Sequence, residues 1–142
     1  MAVGRADLTV DAIRLAAGQA GREAGYRLVV LFGSAARGEA RAEDLDIGIL
    51  ARGRLDTVDA TNRLTRALGL QEVDVADLGR ADPLLAALVA RDGLALYEAE
   101  AGEFTRFASL AARRFADTRK FRETERAELR EFVARRERGG RP

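Results

Sequence analysis

Residues 31–50, LFGSAARGEARAEDLDIGIL, constrain this chain more than any other stretch. An apolar run stops at Gly33-Ser34, a loop of small and charged residues follows, and Asp44-Leu45-Asp46 leads into a second apolar run. Residues 26–32 contain β-branched and aromatic members, the pattern of a strand buried on both faces, and residues 45–50 form a second strand. Side chains alternate along a strand, so Asp44 and Asp46 share one face while Leu45, Ile47 and Ile49 share the other. Gly33 has no Cβ and lets the backbone approach a ligand, and Ser34 can cap a helix begun by residues 35–38. The N–H groups of that turn would face an anion such as a triphosphate. The paired carboxylates offer hard oxygen ligands, which suit Mg²⁺.

Composition removes most competing chemistries. The chain has 142 residues, enough for one domain with a real core. It contains no cysteine, which excludes a disulfide framework, thiol catalysis and thiolate metal sites. It also contains no histidine, which excludes zinc hydrolase and Ser-His-Asp chemistry, so any metal must sit on carboxylates. The N-terminal residues lack the basic start and apolar segment of a signal peptide, and no stretch approaches the roughly 20 apolar residues of a membrane span. A cytoplasmic protein without a membrane partner is expected. The net charge is +1, but residues 101–142 carry 12 basic and 7 acidic side chains. Glutamates interleave with these arginines, as on a solvated helix face. Only two tyrosines, no tryptophan and no aromatic-basic patch are present, so no direct nucleic-acid contact is expected.

The remaining elements follow in order. Thr9 caps a first helix through Ile13, Ala16, Ala17 and Ala20, stopped by Gly25. A second helix over residues 56–68 carries Val58, Thr61, Leu64 and Leu68 at helical spacing and stops at Gly69. In residues 71–78, QEVDVADL, Val73 and Val75 alternate with Glu72 and Asp74, which places both acids on an outward face. Asp82-Pro83 opens a short helix with Leu84, Leu85, Leu88 and Val89 on its buried side, ended by Asp92-Gly93. Residues 94–97 add a strand. A long helix then runs from Glu103 to about Arg136. Its first stripe, Phe104, Phe107, Ala111 and Phe115, should pack on the sheet; its second, Leu129, Phe132 and Val133, should project beyond the charged break at residues 117–120, toward a partner.

These motifs resemble the minimal nucleotidyltransferases of the polymerase-β superfamily. The resemblance rests on Gly33-Ser34, Ala36-Arg37-Gly38 and Asp44-Leu45-Asp46, with nine residues between Gly-Ser and Asp-x-Asp where the family pattern has ten. It implies an α/β (α+β) nucleotidyltransferase fold, a mixed sheet flanked by helices, with residues 1–100 as core and 101–142 as a C-terminal helical extension. It also implies that Asp44, Asp46 and Asp74 hold Mg²⁺, that Asp74 helps take the proton from the attacking hydroxyl, and that Gly33, Ser34 and Arg37 bind the phosphates of ATP. Arg41 competes with Arg37, and Arg37 has Glu39 and Glu43 as structural alternatives.

Over nearly its whole length the chain most resembles the MntA antitoxins that accompany HepT toxins of the HEPN group. That implies transfer of AMP from ATP to a tyrosine of a HEPN ribonuclease toxin, silencing it. A small-molecule adenylyltransferase of the aminoglycoside type is the alternative enzyme, although it ordinarily needs a second domain to hold its acceptor. A non-catalytic antitoxin acting by binding is the alternative outside catalysis, and the intact Asp44, Asp46 and Asp74 speak against it.

Overall fold

A computed structural model of the chain describes residues 8–38 and 45–139. Five residues of almost unbroken burial, Leu28–Phe32, form strand β1. Strands β2 (Asp46–Leu50), β3 (Asp74–Asp77) and β4 (Leu94–Glu98) join it in the order β3-β2-β1-β4. β1 runs antiparallel to β2 and to β4, whereas β2 and β3 are parallel, so the sheet is mixed. Helices α1 (Val10–Ala24), α2 (Thr57–Leu68), α3 (Pro83–Asp92) and α4 (Glu103–Gly139) complete the α+β fold.

Alternation along β1 sorts the core into two layers. Val29 and Leu31, with Ile47 and Ile49 of β2, pack against Ile13, Ala17 and Ala20 of α1 and Ala60, Leu64 and Leu68 of α2. Leu28 and Val30 face the opposite side, where Leu78, Val89 of α3 and Phe104 and Phe107 of α4 cover them. Leu28 through Leu31 are fully buried, as expected of a strand covered on both faces.

The helix ends follow their local chemistry. The Thr9 hydroxyl accepts a hydrogen bond from the Ala12 N–H, and α1 stops at Gly25, whose φ of 75° is left-handed. Asp56 caps α2, and Gly69 ends it in the same conformation. Asp82 caps α3 with Pro83 in its first turn.

Two expectations need correction. Val58 is 71% exposed, and the buried stripe of α2 is Ala60, Leu64 and Leu68, because α2 meets the sheet on a narrower face than the apolar spacing suggests. On α3, Leu84 and Leu88 are exposed, while Ala86 and Val89 are buried: small side chains allow close approach of α4. The first stripe of α4 accordingly packs against α3 as well as the sheet.

Phe104 packs with Val89 near the end of α3, and Ala111 packs with Ala81 and Ala86 at its start. α4 therefore runs antiparallel to α3. Its 37 residues extend roughly 55 Å at the helical rise, while burial on the domain ceases at Ala111. Phe121, Leu129, Phe132 and Val133 beyond that point are exposed, as the sequence pattern implies for a projecting second stripe.

The start of α4 is anchored by an ion-pair cluster. The Glu103 side chain is only 7% exposed; it accepts from Arg27 at 2.9 Å and from Arg106 at 2.6 Å. Glu98 accepts from the Phe104 N–H at 2.8 Å, satisfying a first-turn donor. Arg27, which interrupts the apolar run, thus ties the entry of β1 to α4. The Arg106 hydrogen bond, reinforced by Arg27, holds the Glu103 carboxyl below its ordinary value of 4.5 against the opposing effect of burial. A depressed folded pKa stabilises the fold fully above the unfolded value, and that stabilisation disappears as pH falls through the folded one. Glu103→Ala should cost about 2 kcal/mol at neutral pH, the scale of hydrogen bonds to a charged group, since both arginines retain access to water. Denaturant melts at pH 7 and pH 3.5 should show a smaller acid-induced loss in Glu103→Gln than in the parent chain.

Candidate active site

Antiparallel pairing of β1 with β2 brings the end of the first strand beside the start of the second: Phe32 stands opposite Asp46. The chain leaves β1 through Gly33, whose φ is 74°, a left-handed conformation that side chains resist. A Cβ at Gly33 would land on the Asp46 carboxylate, so the glycine opens the space that this carboxylate occupies. The helix expected for residues 35–38 is a single turn. Arg37 donates its N–H to the Gly33 carbonyl at 3.4 Å and Gly38 to that of Ala35 at 3.2 Å, and Gly38 closes the turn with φ of 73°. Ser34 lies half-buried in it.

Parallel pairing of β2 with β3 sets Asp46 in register with Asp74. Residues in register on adjacent strands stand about 5 Å apart and project to the same face. That face is the α3 side, since Gly48, two residues along from Asp46, lies against the Leu78 side chain. Asp74 is exposed and Asp46 half-buried. Asp44, together with Glu39, Arg41 and Glu43, lies outside the described residues.

Arg37 is placed by more than its own turn. Its guanidinium lies 3.8 Å from the carboxylate of Asp92, the last residue of α3, which also pairs with Arg91 at 2.8 Å. The Arg91 hydrogen bond, aided by the charge of Arg37, keeps the Asp92 carboxyl below its ordinary range. Sequence reasoning took Asp92-Gly93 only as a helix stop, and the contact spans too much sequence for any local pattern to reveal. Gly93 packs tightly, a Cβ there meeting the Val89 carbonyl and Val30, which fixes where α3 ends and hence where Asp92 reaches.

Gly33, Asp46 and Asp74 therefore meet at one end of the sheet, with Arg37 nearby. Among the described residues no group of three or more carboxylates stands ready to hold a metal ion. Asp46 and Asp74, in register on neighbouring strands, nonetheless offer hard oxygen donors on one face beside Gly33. That donor set fits Mg²⁺, which takes one or two carboxylates and completes its shell with phosphate and water.

This strand-turn-strand unit matches a known family. The family model for polymerase beta nucleotidyltransferases matches residues 22–101, more than half of the chain. The chain belongs to that family. It is a nucleotidyltransferase, and the match ends two residues before α4 begins. No curated protein matches it in sequence. Solved structures share its fold. A chain of a toxin-antitoxin crystal structure with AMP-PNP is 24% identical with a TM-score of 0.69, covering 82% of this chain and 97% of that one. A second, from a tri-AMPylated Shewanella oneidensis HEPN toxin in complex with MNT antitoxin, is 22% identical with a TM-score of 0.68 over 85% and 98%. A third, from a mutant MntA toxin-antitoxin complex, is 25% identical with a TM-score of 0.65 over 78% and 92%.

Gly33 and Gly38 allow the contact between turn and carboxylate to be measured. Both have positive φ, but a Cβ at Gly38 meets nothing within 4 Å. Gly38→Ala should cost about 1 kcal/mol, the strain of a left-handed residue. Gly33→Ala should cost at least about 1 kcal/mol more, because Asp46 must move. Equal losses in denaturant melts would show that the turn does not press on Asp46.

Proposed function

We propose that this nucleotidyltransferase is a protein adenylyltransferase antitoxin, moving AMP from ATP to a tyrosine hydroxyl of a HEPN-type ribonuclease toxin and so neutralising it. The observation that carries the chemistry is the register of Asp46 with Asp74 beneath Gly33. The likeness to chains of toxin-antitoxin complexes, one with AMP-PNP and one with an AMPylated HEPN toxin, supports the nucleotide and the class of acceptor.

In this reading Asp44 and Asp46 bind Mg²⁺ together with the triphosphate, and Asp74 completes the ligand set. Held by these carboxylates, Mg²⁺ would supply positive charge to the phosphates and to the leaving pyrophosphate. Gly33 and Ser34 admit the outer phosphates to the backbone of the turn, and Arg37 supplies a cation beside them. The acceptor oxygen attacks the α-phosphorus, the bond to the β-phosphate oxygen breaks, and pyrophosphate leaves. Asp74 takes the proton from the attacking hydroxyl, a role suited to its exposed position on β3, where an acceptor protein can reach it. A small-molecule acceptor is the weaker reading, because the likeness is to chains of toxin-antitoxin complexes.

The test incubates the chain with labelled ATP, Mg²⁺ and a HEPN-type toxin, followed by mass analysis of both proteins. The toxin should gain AMP on tyrosine and lose ribonuclease activity. Neutralisation without added mass would instead make the chain an antitoxin by binding. Asp46→Asn should abolish transfer while leaving the cooperative melt intact, since the amide keeps the size and shape of the side chain. Asp74→Asn should lower turnover on the order of a hundredfold, the scale of general-base loss, with only a modest fall in ATP affinity. Parallel losses in both would make Asp74 a binding residue alone.

A further inference from the structure

The far half of α4 carries an apolar face with no partner among the described residues. Leu129, Phe132 and Val133 are 63%, 59% and 46% exposed. They are not scattered. Leu129 stands five helical turns beyond Ala111, and Val133 five turns beyond Phe115, so the exposed face continues the track along which α3 packs. Where α3 stops, the groove side of α4 runs on uncovered.

Two charges sit on that same face. Glu125 lies one turn before Leu129 and Arg136 one turn after Phe132. Neither has an ion-pair partner within the chain among the described residues. An apolar centre flanked by an acid on one side and a base on the other is complementary to itself when reversed.

We infer that the uncovered face of α4 binds the same face of a second copy of this chain, antiparallel. Setting Leu129 against the Phe132 of the second copy sets Phe132 against its Leu129. The same register brings Glu125 to the Arg136 of the second copy, and the reverse pair follows by symmetry. Arg126 and Glu137, on one flank, come together likewise. Parallel alignment fails on the same residues, since it stacks Glu125 on Glu125 and Arg136 on Arg136. The antiparallel register also fits sterically. Gly139 of one copy comes alongside Arg122 of the other, well short of Ala111, where α3 already fills the groove. The second copy thus occupies the continuation of the α3 position, in the same antiparallel sense.

Sedimentation of the purified chain over a concentration series tests this, with thermal melts to verify folding. The parent chain should form a dimer. Phe132→Glu should be monomeric with an unchanged melt, because the residue touches no core. Glu125→Arg alone and Arg136→Glu alone should each weaken the dimer about tenfold, since every single change alters two symmetric pairs. Combined in one chain, the two swaps should restore association to near the parent value. Failure of the double swap to recover overturns the antiparallel register. A parent chain that stays monomeric throughout, or whose arm takes up a HEPN-type ribonuclease and not a second copy, overturns the inference.

Discussion

Everything in this fold hangs on one strand covered from both sides. β1 is hydrogen-bonded to β2 and β4 along its edges and buried by helices on each face, so its position has almost no freedom. A strand fixed so completely delivers the residue after it to a fixed place, and that residue is Gly33. The turn, the Asp46 carboxylate beneath it and the Asp74 beside it inherit their geometry from the packing of Leu28 to Leu31. The site stands at the rim of the sheet, but the core sets its precision.

Much of this was legible in the sequence because it is encoded locally. Thr9, Asp56 and Asp82 announce helix starts, and Gly25 and Gly69 announce ends, through hydrogen bonds and dihedral angles that involve only neighbouring residues. The alternation in residues 72–76 was enough to put Asp74 on the outward face. Its alignment with Asp46 required knowing that β2 and β3 are parallel neighbours, which only the fold supplies. The errors concern which face of a helix is buried. Val58, Leu84 and Leu88 have the right apolar character and spacing, yet each lies off the contact face: α2 buries Ala60, Leu64 and Leu68, and α3 buries Ala86 and Val89, where the small Ala86 lets α4 approach closely. Arg37 with Asp92, and Arg27 with Glu103, join residues too far apart in sequence for any periodicity to couple them.

The two ends of the sheet have separate tasks. α3 ends at the site, where Asp92 meets Arg37, and α4 begins at the other end of β1, where Glu103 meets Arg27. The helix that carries the arm is thus anchored away from Gly33, so assembly through the arm and group transfer need not compete for the same residues.

β3 has one further consequence. It is a four-residue edge strand whose outer side pairs with no other strand among the described residues, the kind of edge that recruits stray strands and seeds aggregation. Its first and last residues, Asp74 and Asp77, are both acidic, and Asp77 turns its carboxylate onto the Gly79 N–H to end the strand. A guest strand would have to align beside two carboxylates over a very short ladder. The side chain proposed to take the proton thus also guards the sheet against growth, and a neutralised Asp74 would leave a stickier edge.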